Sequence, residues 1–365
     1  PTIQYKKHNN YFTWFPDGKL NIYENCVLKH LDNKNKNKNA VVFVNENNDI
    51  KCLSYSKLHK EVLKTSYELK KKFNLTPKSR LMIHGGAKFE TIILMLSCTM
   101  LGIHFSVIFE ELEIDAIKKR ILLFKPNCFF SNKKNILNQK NNFKCKLVNS
   151  KNFFSKIKKN KKIIKSFKLD YFESGKSLFT LFTSGSTGEP KGITHGSAGY
   201  FFYSMYTTSK QFGCNSNSIM LTASDSGWIN GHTYALFGPL SLGATTVILS
   251  KPTMLLNQSI FKIIKKLKVT IFYVPVTLIR MMKAIYGNIK FKNTHIKTIG
   301  SMGEPLANEV GLWFVKTFLK IGKPIINTYF QTETGGIICS HRHTEKIKKR
   351  DYSSVGIPCS RNIKI

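Results

Sequence analysis

Leu181-Phe-Thr-Ser-Gly-Ser-Thr-Gly-Glu-Pro-Lys-Gly192 is the stretch on which the reading of this chain turns. An apolar run, Leu178 to Phe182, leads into it as a buried strand would. Four hydroxyls follow, Thr183, Ser184, Ser186 and Thr187, set around Gly185 and Gly188 and closed by Lys191. Glycines without a Cβ let backbone N–H groups come close to phosphate oxygens, and the hydroxyls add donors. Lys191 adds a point charge near the phosphate tail, and Pro190 restricts the exit of the loop. The P-loop pattern is excluded, because Gly188 is followed by Glu189 and Pro190. A flexible Ser/Gly linker would not combine an apolar strand, this hydroxyl density and a terminal Pro-Lys-Gly. The stretch reads as a nucleotide loop of another kind.

Working outward, short apolar runs alternate with amphipathic ones. Ala40 to Val44, Arg80 to His84, Ile103 to Phe109 and Asn127 to Ser131 read as strands. Tyr55 to Lys72, Phe89 to Leu101 and Glu113 to Phe124 read as helices between them. The second half repeats the rhythm. Its strands are expected at Ile219–Thr222, Thr245–Leu249, Val269–Val274, Thr298–Ser301 and Pro324–Tyr329. Its helices are expected at Ile229–Leu242, Ser259–Leu267, Val276–Ile285 and Ala307–Leu319. Such alternation predicts an α/β fold with largely parallel sheets. Lys133 to Lys168 is Lys/Asn-rich with weak periodicity and is the expected boundary between two lobes.

The chain has 365 residues, enough for roughly two to three domains. Hydrophobic residues make up 42%, which excludes global disorder and fibrous classes. Lys and Arg number 57 against 21 Asp and Glu, a net charge of +36. That charge would attract any polyanion without sequence preference. Much of it lies in Lys/Asn-rich stretches such as 33–39 and 151–168, which read as solvated loops or helix faces. No recognition motif accompanies it, so no specific nucleic-acid partner is expected. The eight cysteines are scattered singly without C-x-x-C or zinc spacing, and read as reduced, mostly buried thiols. His341 and His343 form an H-x-H on a polar, basic stretch and read as surface residues.

Thr91 to Phe109 is charge-free and of transmembrane length, but holds Ser97, Thr99, Gly102, His104 and Ser106. Gly102 reads as a helix stop, so a buried helix and a buried strand are expected and no membrane span. Nothing near Pro1 resembles a signal peptide, and a cytoplasmic location is expected. Oligomeric state has no signature.

The loop pattern T-S-G-S-T-G-x-P-K-G resembles the signature of adenylate-forming enzymes, the group of acyl-CoA synthetases, luciferases and peptide-synthetase adenylation domains. Three further blocks are similar to the acetyl-CoA synthetase and short-chain acyl-CoA synthetase branch. They are Asp225-Ser-Gly-Trp-Ile-Asn-Gly-His-Thr-Tyr234, Gly300-Ser-Met-Gly-Glu-Pro-Leu306 and Thr328-Tyr-Phe-Gln-Thr-Glu-Thr-Gly-Gly336. The segment Trp14-Phe-Pro-Asp-Gly-Lys-Leu-Asn-Ile22, with Asn25, Cys26 and His30, looks like the same family's N-terminal segment. The four blocks keep the family's order, and the resemblance covers nearly the whole chain.

The resemblance implies the large N-terminal domain of such an enzyme: an N-terminal segment over 1–35, a first α/β lobe over 36–150 and an AMP-binding lobe over 151–365. It implies a two-step reaction, in which a carboxylate attacks the α-phosphate of ATP and a thiol then attacks the acyl-adenylate. By the same resemblance Thr183, Ser184, Gly185, Ser186, Thr187, Gly188 and Lys191 would hold the β- and γ-phosphates. Glu333 would hold Mg2+, since a hard cation takes carboxylate oxygen beside phosphate. Thr332 would serve the α-phosphate. Gly303, Glu304 and Pro305 would border the adenine, with Asn327 and Thr328 on its other edge, and Tyr329 and Gln331 belong to the same nucleotide-binding block. Trp228, Ile229, Met302 and Phe330 would wall the acyl pocket. Phe330 stands where acetyl-CoA synthetases have Trp, so the pocket is expected to stay short, taking acetate and then propionate. Asn230 stands where the family has a small residue facing the coenzyme A thiol.

Two departures matter. After Val107-Ile-Phe109 the family has Gly-Gly-Phe-Ser, whereas this chain has Glu110-Glu-Leu-Glu113. Two glutamates would crowd and repel an acidic nucleotide. The chain also stops at Ile365, before the family's ribose-binding aspartate, hinge and small C-terminal domain, which reads as a fragment of a longer protein or a truncated relative, the start at Pro1 favouring a fragment. Alternatives remain open: another small carboxylate with a different acceptor, a catalytically degenerate AMP-binding protein, or polyanion binding through the lysines.

Overall fold

Strand-forming runs rich in Val, Ile and Phe and helices with a 3.6-residue apolar period account for most of the chain. The computed structural model describes residues 5–7, 12–32, 34–138, 143–159, 168–184, 188–287, 289, 291, 295–319, 321–346 and 351–360. Its main elements begin with the strands β1 (Asn39–Val44) and β2 (Ile50–Ser54), then α1 (Tyr55–Phe73), β3 (Arg80–His84) and α2 (Phe89–Leu101). There follow β4 (His104–Ile108), α3 (Ile114–Phe124), β5 (Cys128–Ser131), β6 (Lys146–Asn149), α4 (Ser150–Lys159), β7 (Ser177–Ser184), β8 (Pro190–Gly196) and α5 (Ser197–Phe212). The remainder holds β9 (Ile219–Thr222), β10 (Thr245–Leu249), α6 (Ser259–Lys266), β11 (Ile271–Pro275), α7 (Val276–Tyr286), β12 (Thr298–Met302), α8 (Asn308–Phe318) and β13 (Ile325–Asn327).

The chain parts into two compact units. The first comprises Pro1–Lys36, Tyr55–Phe202 and Ser226–Trp228; the second comprises Asn37–Ser54, Tyr203–Asp225 and Ile229–Ile365. A division at 150/151 is therefore not where the chain parts. The Lys/Asn-rich segment stays inside the first unit, because β6 pairs in parallel with β5 and α4 buries Phe153, Phe154 and Ile157. The lysines of α4 point outward, as a solvated helix face.

The first unit is built on a six-stranded sheet in the order β8-β7-β4-β3-β5-β6. All neighbours are parallel except β7 and β8, which form an antiparallel hairpin. Helix α2 is apolar all round and buried on nearly every residue, the expected behaviour of a helix covered on all sides. Each of its large aliphatic side chains contributes about 1.5–3 kcal/mol of burial. Gly102 ends the helix with φ +65, and a Cβ there would also lie 2.5 Å from the Phe172 ring. The charge-free stretch 91–109 is thus a buried helix followed by the buried strand β4. Among the described residues no helix is long and apolar enough to cross a membrane.

The second unit carries a seven-stranded sheet in the order β13-β12-β11-β9-β10-β1-β2, parallel throughout except for the edge strand β2. Val247, Phe272, Ile299, Phe314 and Ile325 form part of its core.

The expected single helix over 229–242 is instead three joined pieces: an α-turn Ile229–His232, a π-turn Thr233–Phe237 and an α-turn Gly238–Ser241. The cause is Pro239, which has no N–H to give and whose ring would strike the carbonyl four residues back. Gly238 N donates to Thr233 O, five residues back, as a π-turn requires. The two carbonyls this releases are taken by the sheet. Thr222 Oγ1 donates to Tyr234 O at 2.8 Å and Thr246 Oγ1 donates to Ala235 O at 2.6 Å. Gly238 is required here, since a Cβ would meet Thr208 Oγ1 and, at 2.8 Å, Thr233 O.

Candidate functional site

In the first unit the phosphate-type loop is the tip of the β7–β8 hairpin. The register places Thr183 opposite Lys191 and Ser184 opposite Pro190. Pro190, read from sequence as restricting the loop's exit, is the first residue of a paired strand. This is tolerated because β8 is the sheet edge, where a missing N–H costs no ladder bond. Ser184, Gly188 and Lys191 are exposed and Thr183 is half-buried. Gly188 has φ +78, and a Cβ there would meet nothing within 4 Å. Gly185, Ser186 and Thr187 lie outside the described residues. Glu189 is tied to α3 by Lys119 Nζ at 2.7 Å.

The glutamates that depart from the family pattern also lie in the first unit, just after β4. Glu110 accepts from Lys88 Nζ through both oxygens, at 2.7 and 2.6 Å. Burial alone would raise its carboxyl; the Lys88 hydrogen bond and charge outweigh this and hold it below the ordinary value. The expected repulsion of an acidic nucleotide by Glu110 is therefore offset at its source, while Glu111 is exposed. His84, at the end of β3, is 4% exposed and lies 2.9 Å from Ser131 Oγ through Nδ1 and 3.2 Å from Glu110 O through Nε2. Burial, with Lys133 nearby, pushes it down to about 4. Trp228 is 57% exposed, and its ring lies 4.9 Å from that of Phe109.

In the second unit, Gly303, Glu304 and Pro305 follow β12, and Thr328 to Gly336 follow β13, its parallel neighbour. Glu333 sits on a one-turn 3₁₀ helix, Thr332–Thr334, closed by a reciprocal capping box between Gln331 and Thr334 and by Gly335 at φ +71. Its carboxylate is exposed, and Thr332 is half-buried. The turn is fastened from below. Thr233 Oγ1 donates to Gly335 O at 2.8 Å, Ile337 N donates to Tyr234 Oη at 2.8 Å, and Tyr203 Oη donates to Ile337 O at 2.6 Å. Gly336 permits this approach, since a Cβ would come within 2.9 Å of the Tyr203 ring. The π-turn thus offers Thr233 and Tyr234 to the segment that carries Glu333. Burial and the neighbouring Tyr273 push the Tyr234 hydroxyl well above its ordinary value, so it stays protonated.

Met302 and Phe330 share one apolar cluster with Tyr234, whose ring lies 5.6 Å from that of Phe330. Ile229 is buried as well. Trp228, the fourth expected pocket residue, is grouped with the first unit. Asn327 is 1% exposed and spends its amide on protein groups: it accepts from Ser301 Oγ at 2.9 Å and donates to Ser353 O at 2.9 Å. Thr328 donates to Ser301 O at 2.8 Å and lies 2.7 Å from Tyr273 Oη. These two side chains are engaged internally, and Thr328 N also donates to Ser301 O at 3.0 Å, so the pair forms a fixed edge of the sheet. Tyr329, by contrast, is 47% exposed. Asn230 Oδ1 is buried and, among the described residues, has no hydrogen-bond partner. A buried acceptor in that state is costly unless a donor reaches it.

Sequence reasoning quoted Thr233 and Tyr234 inside a motif but gave them no role, and it missed Tyr203, Lys88 and His84. No cluster of three or more His, Cys, Asp or Glu side chains able to hold a metal occurs among the described residues. One exposed carboxylate on a rigid turn fits Mg2+, which takes one or two carboxylates beside substrate phosphates and water. His341 instead bonds Glu345 at 2.8 Å.

Residues 28–365 match the family model described as AMP-binding enzyme. An acetyl-coenzyme A synthetase of Helicobacter acinonychis is 33% identical, aligning over 90% of this chain and 54% of its own length. One from Leptospira biflexa is 33% identical over 90% and 55%. The chain spans about half the length of the curated relatives it matches. A crystal structure of an acyl-CoA synthetase of Brucella canis superposes with a TM-score of 0.78, covering 94% of this chain and 62% of that one. At 20% identity that likeness is one of fold.

Proposed function

The chain belongs to the AMP-binding enzyme family, and we propose that it provides the large part of an AMP-forming short-chain acyl-CoA synthetase acting on acetate and, less well, propionate. In the first step a carboxylate oxygen of the acid would bond to the α-phosphorus of ATP, and the α–β bridging oxygen would leave with pyrophosphate. In the second, the coenzyme A thiolate would attack the acyl carbon and AMP would depart. The work of the protein in the first step is positioning and charge neutralisation.

In the first unit Thr183, Ser184, Gly188 and Lys191, with Gly185, Ser186 and Thr187, would cradle the β- and γ-phosphates. In the second unit Glu333 would hold Mg2+, whose contribution is to neutralise phosphate charge. Thr332 would bond the α-phosphate. Gly303, Pro305 and the edge formed by Asn327, Thr328 and Tyr329, with Gln331, would border the nucleoside. Met302, Ile229 and Phe330 would bound the acyl group, with Trp228, next to Ile229 in sequence, as the fourth wall. Phe330 leaves a short pocket, and one methylene is worth about 1–3 kcal/mol of discrimination there.

One observation carries this reading. The Gly303–Pro305 turn and the Glu333 segment both leave the C-terminal ends of adjacent parallel strands, where α/β sheets bind nucleotides. The test is acid-dependent ATP–pyrophosphate exchange by the longest in-frame protein containing this chain, with acetate, propionate, butyrate and no acid. Exchange with acetate supports the reading; a folded protein with no exchange for any acid overturns it. A second reading keeps the adenylation and changes the acceptor. The glutamates at 110 and 111, where the family has two glycines, favour it, Glu111 being exposed, and efficient thioester formation with coenzyme A would eliminate it.

A further inference from the structure

Glu304 is one of only 21 acidic residues in the chain, and its carboxylate is already engaged. Oε1 accepts from the Thr277 hydroxyl at 2.6 Å and Oε2 from Arg280 Nη2 at 2.5 Å. Thr277 and Arg280 lie three residues apart near the start of α7, so they share a face. Helix α7 follows β11, whose last residue Pro275 is in register with Met302, the last of β12. The two bonds therefore cross-link the turns that leave two neighbouring strands. Pro305 restricts Glu304 to extended backbone, so the freedom left in the turn lies at Gly303. Gly303 has φ +89, and a Cβ there would meet nothing within 4 Å. The tether thus grips the residue next to a glycine pivot, and the space over that pivot is open.

We propose that Thr277 and Arg280 are positioning residues that hold the Gly303–Pro305 turn in its nucleotide-binding shape, and that Glu304 acts through this tether instead of touching the ligand. The inference rests on the adenylation reading given above. A carboxylate that accepts one hydroxyl and one guanidinium bond on α7 is turned toward the protein, and the backbone of the turn is what it leaves for adenine. Both bonds are charge-assisted but lie at the surface, with the Arg280 and Glu304 side chains 49% and 39% exposed, so they set the geometry of the turn at a modest gain in energy.

The test compares wild type, Thr277→Val/Arg280→Gln, Glu304→Ala and the triple variant, with circular dichroism as a check on folding. ATP with Mg2+ is the calorimetric probe, and ATP–pyrophosphate exchange supplies KM and kcat. The double variant and Glu304→Ala are each expected to weaken ATP roughly threefold to fivefold, the triple variant no further, with the change in KM and not in kcat. If Glu304→Ala weakens ATP well beyond the double variant, or the effects add in the triple variant, Glu304 touches the nucleotide and the tether is overturned. Unchanged ATP affinity in every variant overturns it too. Wild-type protein that neither binds ATP nor exchanges overturns the adenylation reading, and this inference with it, a result recognisable before any variant is made.

Discussion

Replacing Tyr234 with Phe deletes one oxygen from a fully buried position and keeps the ring. That oxygen accepts from Ile337 N at 2.8 Å and lies 3.0 Å from Thr207 Oγ1. Thr207 gives its own proton to Tyr203 O at 2.8 Å, so the Tyr234 proton points at Thr207. The variant strands the Ile337 N–H and leaves Thr207 one donor short. An unsatisfied buried donor costs about 1–3 kcal/mol, and the Phe ring retains the packing against Phe212, Tyr273 and Phe330. We expect a loss of about 2 kcal/mol, which is about thirtyfold in the local opening constant. Native-state hydrogen exchange at the Ile337 amide reads this directly, with the urea midpoint as a global check. Tyr273→Phe is the control. It removes a hydroxyl 2.7 Å from Thr328 Oγ1 and strands no N–H, so Ile337 exchange should hold its wild-type rate. Wild-type exchange at Ile337 in Tyr234→Phe, or equal acceleration in both variants, would refute the reasoning.

Glu333→Gln should lower exchange activity by about a hundredfold and raise the Mg2+ concentration needed, read from Mg2+ titrations of the exchange assay. Phe330→Trp should shift the acid profile toward acetate by about tenfold over propionate, while Phe330→Ala should admit butyrate; kcat/KM across the acid series decides it. Stability should fall on acidification from 6.5 towards about 4 because of His84, whose folded value lies below its ordinary 6.5. The unfolded chain binds the proton first in that window, so a loss on the order of 3 kcal/mol builds up and levels off below the lower limit. Half-buried His104, also pushed down to about 4, acts in the same direction. Urea midpoints across pH should show a shallower slope for His84→Gln.

Elements whose apolar runs end on strong punctuation were legible to the residue. Arg80–His84, Phe89–Leu101, Ile219–Thr222 and Thr245–Leu249 form with the expected bounds. The π-turn at Thr233–Phe237 was not legible, because what stabilises it is a pair of threonines, Thr222 and Thr246, arriving from two strands. Strand β8 was hidden for a related reason: its Pro190 is acceptable only at an edge, and edges are decided by tertiary pairing. The division of the chain was obscured by Lys146 to Lys159, whose polarity masks a strand and a helix with three buried apolar residues. In the site, motif spacing located the turns, while the commitments of Glu110, Glu304 and Asn327 depend on partners 22 to 27 positions away, outside any local pattern.

The strand pair β1–β2 belongs to the second unit although it precedes most of the first in sequence. The second neighbour of β1 in the sheet, beside β2, is β10, and Thr245 Oγ1 bonds Asn39 O across 206 positions. At about 5–20 residues per second, a ribosome needs roughly 10–40 s to make that neighbour. For that interval Val41, Val42 and Val44, buried in the finished sheet, sit on a strand whose inner edge is unpaired. The rate of translation through the intervening codons therefore sets how long a sticky edge is on offer. Slow codons there lengthen the exposure, and a holdase chaperone on the nascent hairpin shortens its reach.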